Sequence, residues 1–227
     1  MCQSNTTPRS TVCRCSLTKG FTLDYRTYFE ASGQTPNRNQ EGVNSVKLSV
    51  SRDLRRWEKV GSRSSFIPVS EIGGGAIDTG QLLATPSIRM GDELWFYYGG
   101  INHRFTQKEG YRGGIHLARL RRDGFASFRS DDRGGFVETR EVLFEGKHLF
   151  LNANAAQGEI RVEILERCGW TVLEGWSREL PHPLRGDHLQ AEVKWQEKKD
   201  LEALQGQTLR FRFHLKNADL YSFWIEP

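Results

Sequence analysis

Cysteine is scarce and poorly placed for a metal site or a disulfide framework. The four are Cys2, Cys13, Cys15 and Cys168, three of them in the first 15 residues. A structural metal needs paired ligands at two places. The Cys13-x-Cys15 pair has no second pair or histidine cluster in sequence, so free thiols and no metal are expected. His148, His182 and His188 also lack ligand spacing. There is no run of about 18 apolar residues, so no membrane span is expected. The N-terminus lacks a basic start followed by an apolar core, so no signal peptide is expected either. The chain reads as soluble, with its compartment open. Helical periodicity is missing, and only Asp200 to Gly206 could form a helical turn. No Ser-His-Asp signature, phosphate loop or dinucleotide motif is visible, and no cofactor is expected. The formal charge of +4 is spread along the chain, with basic residues such as Arg210 and Arg212 alternating with apolar ones. That is a solvated strand face, and nucleic acid is not an expected partner.

What is present suits β structure: 23 glycines and 11% aromatics in 227 residues. Glu93 to Tyr98 puts Leu94, Phe96 and Tyr98 on one face and Trp95 and Tyr97 on the other. A strand with two large apolar faces belongs to a sheet covered on both sides, so Trp95 and Tyr97 are expected in a core. Stacked antiparallel sheets of this kind point to a β-propeller blade or an inner sandwich strand. Val43 to Val60 reads as strand, turn at Asp53, and strand, with Trp57 returning to the core. About 70 residues on, Ile115, Leu117, Arg122-Asp123-Gly124-Phe125 and Phe128 follow the same logic. Asp53 and Asp123 are therefore read as turn residues, and Asp92 and Glu93 as solvated hairpin residues. One blade is expected over Asp78–Arg89, Glu93–Gly99, Gly114–Leu120 and Phe125–Ser130.

Residues 1–42 are polar and read as an irregular or disordered arm, with at most one strand near Tyr25 to Phe29. Residues 43–130 read as a partial β-propeller of one to two blades. A break at Ser130 to Gly135 is the expected boundary. Residues 135–227 read as an antiparallel β-sandwich of around seven strands, because Ile160, Val162 and Ile164, and Leu209, Phe211, Phe213 and Leu215, alternate with polar residues. The fold class expected is all-β.

Four motifs carry a resemblance: Ser51-Arg52-Asp53 with Trp57; Asp78-Thr79-Gly80; Gly91-Asp92-Glu93-Leu94 with Tyr97-Tyr98-Gly99-Gly100; and Arg121-Arg122-Asp123-Gly124-Phe125. Together with Leu220-Tyr221-Ser222-Phe223, they resemble five-bladed β-propeller proteins related to glycoside hydrolases. The levanase/invertase and arabinanase groups belong here, as does an uncharacterised bacterial family with a C-terminal sandwich. The resemblance covers about residues 43 to 227. It implies carbohydrate, oligo- or polysaccharide, as the ligand class. A whole five-bladed propeller needs far more chain before its sandwich than the roughly 90 patterned residues here. The chain therefore reads as the C-terminal end of such a protein, without the blades that carry the nucleophile or base and the acid.

Hydrolysis of a sugar bond needs two carboxyl groups, one protonated and one ionised. Propeller geometry puts Asp78 at the funnel, as the one candidate catalytic residue. It puts Tyr98, Asn102, His103, Arg104 and Arg112 on the same rim as candidate substrate contacts, with Tyr111 beside Arg112. The plainer readings are a turn carboxylate for Asp78, a solvated loop residue for His103 and a surface ion pair for Arg112. Trp170 and Trp176 lie in a Gly-containing segment and read either as packing or as a stacking platform for a sugar ring. Three functions follow: a hydrolase-like chain without hydrolysis of its own, a non-catalytic carbohydrate-binding module, or a self-associating module. In the last, a lone blade exposes its Leu94/Phe96/Tyr98 face to a neighbour.

Overall fold

The computed structural model describes residues 12–18, 21–34, 40–61, 64–103, 110–195 and 200–227. The fold is all-β, and among the described residues the one helical element is a 3-10 turn at Glu202–Leu204, inside the stretch expected to turn helically. Among the described residues no helix is long and apolar enough to cross a membrane. Two compact units divide the chain, residues 1–121 and 122–227.

The first unit holds β1 (Val12–Thr18), β2 (Phe21–Gln34), β3 (Gln40–Ser51), β4 (Glu58–Lys59), β5 (Gln81–Ala84), β6 (Ile88–Met90), β7 (Glu93–Ile101) and β8 (Gly113–Arg121). They form one eight-stranded sheet. β1, β2 and β3 run as an antiparallel meander, and β3 meets β5 through one parallel pair, Asn44 with Gln81. β5 and β6 lie end to end along one side of β7, and β8 pairs with its other side. The expected first blade strand is thus broken in two at Thr85-Pro86-Ser87, where proline has no N–H for the ladder.

Val12–Thr18 and Phe21–Gln34 are paired strands rather than an irregular arm. Backbone pairing with β3 satisfies the polar main chain, and buried Leu23 and Tyr25 supply the apolar anchor. The Tyr25 ring meets Phe96 edge-on at 5.2 Å, and Phe66 meets Phe96 at 5.4 Å. Residues 1–11 lie outside the described residues, as do the side chains of Cys13 and Cys15.

Which face of β7 is covered also differs from expectation. Leu94, Phe96 and Tyr98 are buried, so this is not the face left for a neighbour. The opposite face is open: Tyr97 is 39% exposed, and its cross-strand partner Leu117 is 41% exposed. Leu83 and Ile115, both level with Gly99, are exposed as well. Trp95 is half-buried.

The second unit holds β9 (Phe128–Ser130), β10 (Gly135–Glu138), β11 (Val142–Leu143), β12 (His148–Leu165), β13 (Leu184–Val193), β14 (Thr208–Lys216) and β15 (Ala218–Glu226). β9, expected as the fourth strand of the blade, pairs with β15 instead. The boundary therefore falls after Arg121, not at Ser130 to Gly135. The 18-residue β12 organises the unit: its first half pairs with β13 and β15, and its second half with β14.

The buried positions of β12 change parity along its length. Leu149, Leu151, Ala153 and Ala155 are buried, then Ile160, Val162 and Ile164. A strand can turn both sets inward only if an extra residue shifts the alternation. The register shift between Ala155 and Ile160 supplies it. Gly158 sits at this point because a β-carbon there would lie 1.8 Å from the Lys216 carbonyl oxygen. Phe211, Phe213, Trp176 and Trp195 complete the core, the two indoles 5.0 Å apart. Each such side chain contributes about 1.5–3 kcal/mol by leaving water.

Outside the core, the β10–β14–β12 surface carries an ion ladder. Arg212 reaches Glu138 at 2.9 Å and Glu163 at 3.0 Å, and Arg210 reaches Glu138 at 3.1 Å. The His214 Nε2 also lies 2.9 Å from Glu163.

Candidate functional site

The chain entering β5 and the loop leaving β7 share one rim. Gly80 makes this possible: a β-carbon there would lie 2.4 Å from the His103 carbonyl oxygen. The Gly80 N–H donates to the Ile101 carbonyl at 2.9 Å, and the Gln81 amide donates to that of His103 at 3.1 Å.

Behind this junction Asp78 is buried, 5% exposed. The Tyr98 hydroxyl donates to its Oδ2 at 2.8 Å. Burial alone would raise the Asp78 carboxyl, but hydrogen bonds from the Ser70 and Tyr98 side chains outweigh it and hold the group below the usual aspartate range. Tyr98 moves the other way: burial and the neighbouring Asp78 carboxylate push its phenol up to about 12. At neutral pH Asp78 is therefore ionised and Tyr98 neutral. A carboxylate spent on accepting hydroxyls is a poor proton donor, because a general acid needs a raised pKa.

His116 completes the cluster. It stands opposite Tyr98 in the β7–β8 register, with its ring stacked on the phenol at 5.2 Å and 21°. Its Nε2 is buried and has no hydrogen-bond partner among the described residues. Gly100 and Gly114, paired across the same strands, leave the room it occupies. A β-carbon on Gly100 would lie 2.5 Å from the Asp78 Cβ and 2.7 Å from the His116 Cδ2.

Asn102 clips the loop shut. Its amide nitrogen donates to the Gly110 carbonyl at 2.9 Å, and its amide oxygen accepts from the Arg112 backbone N–H at 2.8 Å. The clip leaves Arg112 exposed and Tyr111 64% exposed at the loop's return. The His103 ring lies 5.8 Å from that of Tyr111. Arg104 lies outside the described residues.

Of the sequence candidates, the structure thus joins Asp78 to Tyr98 and Asn102 to the Arg112 backbone, and sets His103 beside Tyr111. Ser70 and His116 were not anticipated. His116 has a signal in the Gly113-Gly114-Ile115-His116 run: in a hairpin that pairs Gly114 with Gly100, His116 must face the same way as Tyr98. Nothing in sequence marks Ser70.

In the second unit, Trp176 is core, whereas Trp170 is 91% exposed. His148 lies 2.7 Å from Glu192, and the His188 Nε2 lies 2.6 Å from the Arg185 carbonyl oxygen. No group of three or more metal-ligating side chains occurs among the described residues. Cys168 is exposed and, among the described residues, unbridged. Asp123, as expected, is a turn residue, with φ of 60°. Compared with protein-family models, curated proteins and solved structures, the chain matches none.

Proposed function

We infer that the protein is a glycoside-hydrolase-like carbohydrate-binding chain that performs no hydrolysis on its own. In this reading the β5/β6–β7–β8 meander is a propeller-type blade and the second unit a sandwich. The observation that carries it is the state of Asp78, ionised and committed to the Tyr98 and Ser70 hydroxyls. Such a carboxylate positions its neighbours. The ligand-facing groups are those held outward beside it: Tyr111, Arg112 and His103. An exposed phenol, a guanidinium and an imidazole suit a sugar ring, whose hydroxyls take hydrogen bonds and whose C–H face packs on an aromatic. The test is an assay of aryl glycosides with the wild-type chain and Asp78→Asn. No turnover by either is expected, and turnover lost in Asp78→Asn overturns the reading.

A second reading, self-association, is favoured by one observation, the open face of Leu83, Tyr97, Ile115 and Leu117. Sedimentation tests it: a mass that grows with concentration supports it, and a concentration-independent monomer contradicts it.

A further inference from the structure

The turn between Leu165 and Val172 holds a tryptophan where water would be expected to disfavour one. Trp170 is 91% exposed. The turn beneath it is fixed. Leu165 bridges Val172, the Glu166 N–H donates to the Thr171 carbonyl at 2.9 Å, and the Gly169 N–H donates to that of Glu166 at 2.9 Å. Two arginines clamp it from below: Arg210 donates to the Arg167 carbonyl at 2.9 Å and Arg212 to that of Gly169 at 3.2 Å. Those arginines are themselves held by Glu138 and Glu163. The indole is thus presented on a braced turn, which lowers the ordering cost of binding.

The surroundings select the ligand. Backbone N–H groups of Trp170 and Thr171 hydrogen-bond the Cys168 thiol, tying the base of the indole to a neighbouring cleft. That open cleft, about 440 Å³, is lined by Glu141, Glu166, Arg167, Cys168 and Arg210. A protein docking site would gather apolar neighbours around its anchor. Here the exposed indole shares its turn with Glu166 and Arg167, two charged residues that line the cleft. This pattern matches a sugar ring, which has an apolar C–H face and a hydroxylated rim.

We propose that Trp170 is the stacking platform of a second carbohydrate site, in the second unit, with Glu166 and Arg167 meeting the sugar hydroxyls. This site is separate from the Asp78 rim and does not depend on it.

The test is native affinity electrophoresis in gels containing levan, linear arabinan or mixed-linkage β-glucan. The wild-type chain is compared with Trp170→Ala, Trp170→Phe and Tyr111→Ala, each first checked for an unchanged melting curve. The proposal predicts retardation in at least one gel, weakened about tenfold in Trp170→Ala, partly restored in Trp170→Phe, and still present in Tyr111→Ala. Acrylamide quenching should also fall when an oligosaccharide of the retarding polymer is added, and this protection should vanish in Trp170→Ala. Retardation unchanged in Trp170→Ala but lost in Tyr111→Ala overturns the proposal and leaves the rim reading standing. The opposite pattern upholds the proposal and removes the rim. A wild-type chain retarded by none of the three polymers overturns both. Concentration-dependent self-association abolished by Trp170→Ala without sugar reassigns the indole to protein docking and also overturns the proposal.

Discussion

The Ser222 hydroxyl donates to the Asp123 carboxylate at 2.9 Å, across 99 residues of chain. Two motifs that looked separate in sequence, Arg121-Arg122-Asp123-Gly124-Phe125 and Leu220-Tyr221-Ser222-Phe223, meet in one contact. The same turn is held by the Asn152 amide, which donates to the Arg122 carbonyl at 2.6 Å, and by the Arg122 guanidinium, 5.6 Å from the Trp224 ring centroid. Ser222→Ala should lower the stability of the second unit by about 1 kcal/mol. Asp123→Ala should cost more, because alanine must also hold a left-handed backbone at about 1–2 kcal/mol. Denaturant unfolding of the two variants and their double mutant measures both terms, and additive effects would deny the contact.

Gly100 is the tightest point of the Asp78 cluster. Gly100→Ala should destabilise the first unit by about 1–3 kcal/mol through overpacking. Adding His116→Ala should recover part of that loss, since the new methyl group would otherwise meet the His116 ring. Equal melts for wild type and Gly100→Ala would show that the ring is not packed there.

Two pH limits follow from the Asp78–Tyr98 pair. The Asp78 pKa is lowered in the fold, so its contribution is full above the unfolded aspartate value of about 3.9 and is lost as pH falls through the lower folded value. Tyr98 is raised to about 12. The neutral phenol is favoured in the fold, so its contribution is full below the unfolded value of about 10 and is lost as pH rises from there through the folded value. In a spectrophotometric titration, Tyr98 should contribute a late ionisation. Asp78→Asn should bring it back towards the ordinary value, and an unmoved late transition would assign it elsewhere.

Arg212 is the keystone of the ladder beneath Trp170. Its removal leaves Glu163, 7% exposed at the side chain, without its guanidinium partner. Arg212→Ala should cost about 3 kcal/mol, as for a buried pair with one member deleted. It should also loosen the Gly169 turn, which proteolysis between Glu166 and Thr171 would report. A loss that disappears in high salt would mark the pair as a surface one.

Strands with clean alternation were legible in the sequence, such as Leu209 to Leu215 and Glu93 to Tyr98. So was the second half of β12, where Ile160, Val162 and Ile164 alternate with polar residues; its continuity with Leu149 to Ala155 was not, because the buried positions change parity between the two halves. β2 was hidden because its apolar residues are diluted by polar ones, and only pairing to β3 shows which positions face in. The fate of Phe128 to Ser130 was not legible, because three residues carry no pattern that chooses between β8 and β15. Asp78 and Tyr98 were found from their motifs. Their mutual hydrogen bond depends on the β5–β7 register, and neither that register nor the part Ser70 plays in holding Asp78 ionised is written in local sequence.

Native mass spectrometry with defined levan and arabinan oligosaccharides tests the central claim most directly. The account predicts a complex of the chain with an intact oligosaccharide, unchanged after overnight incubation. Shortened products in the presence of the chain, or no complex with either sugar, would contradict it.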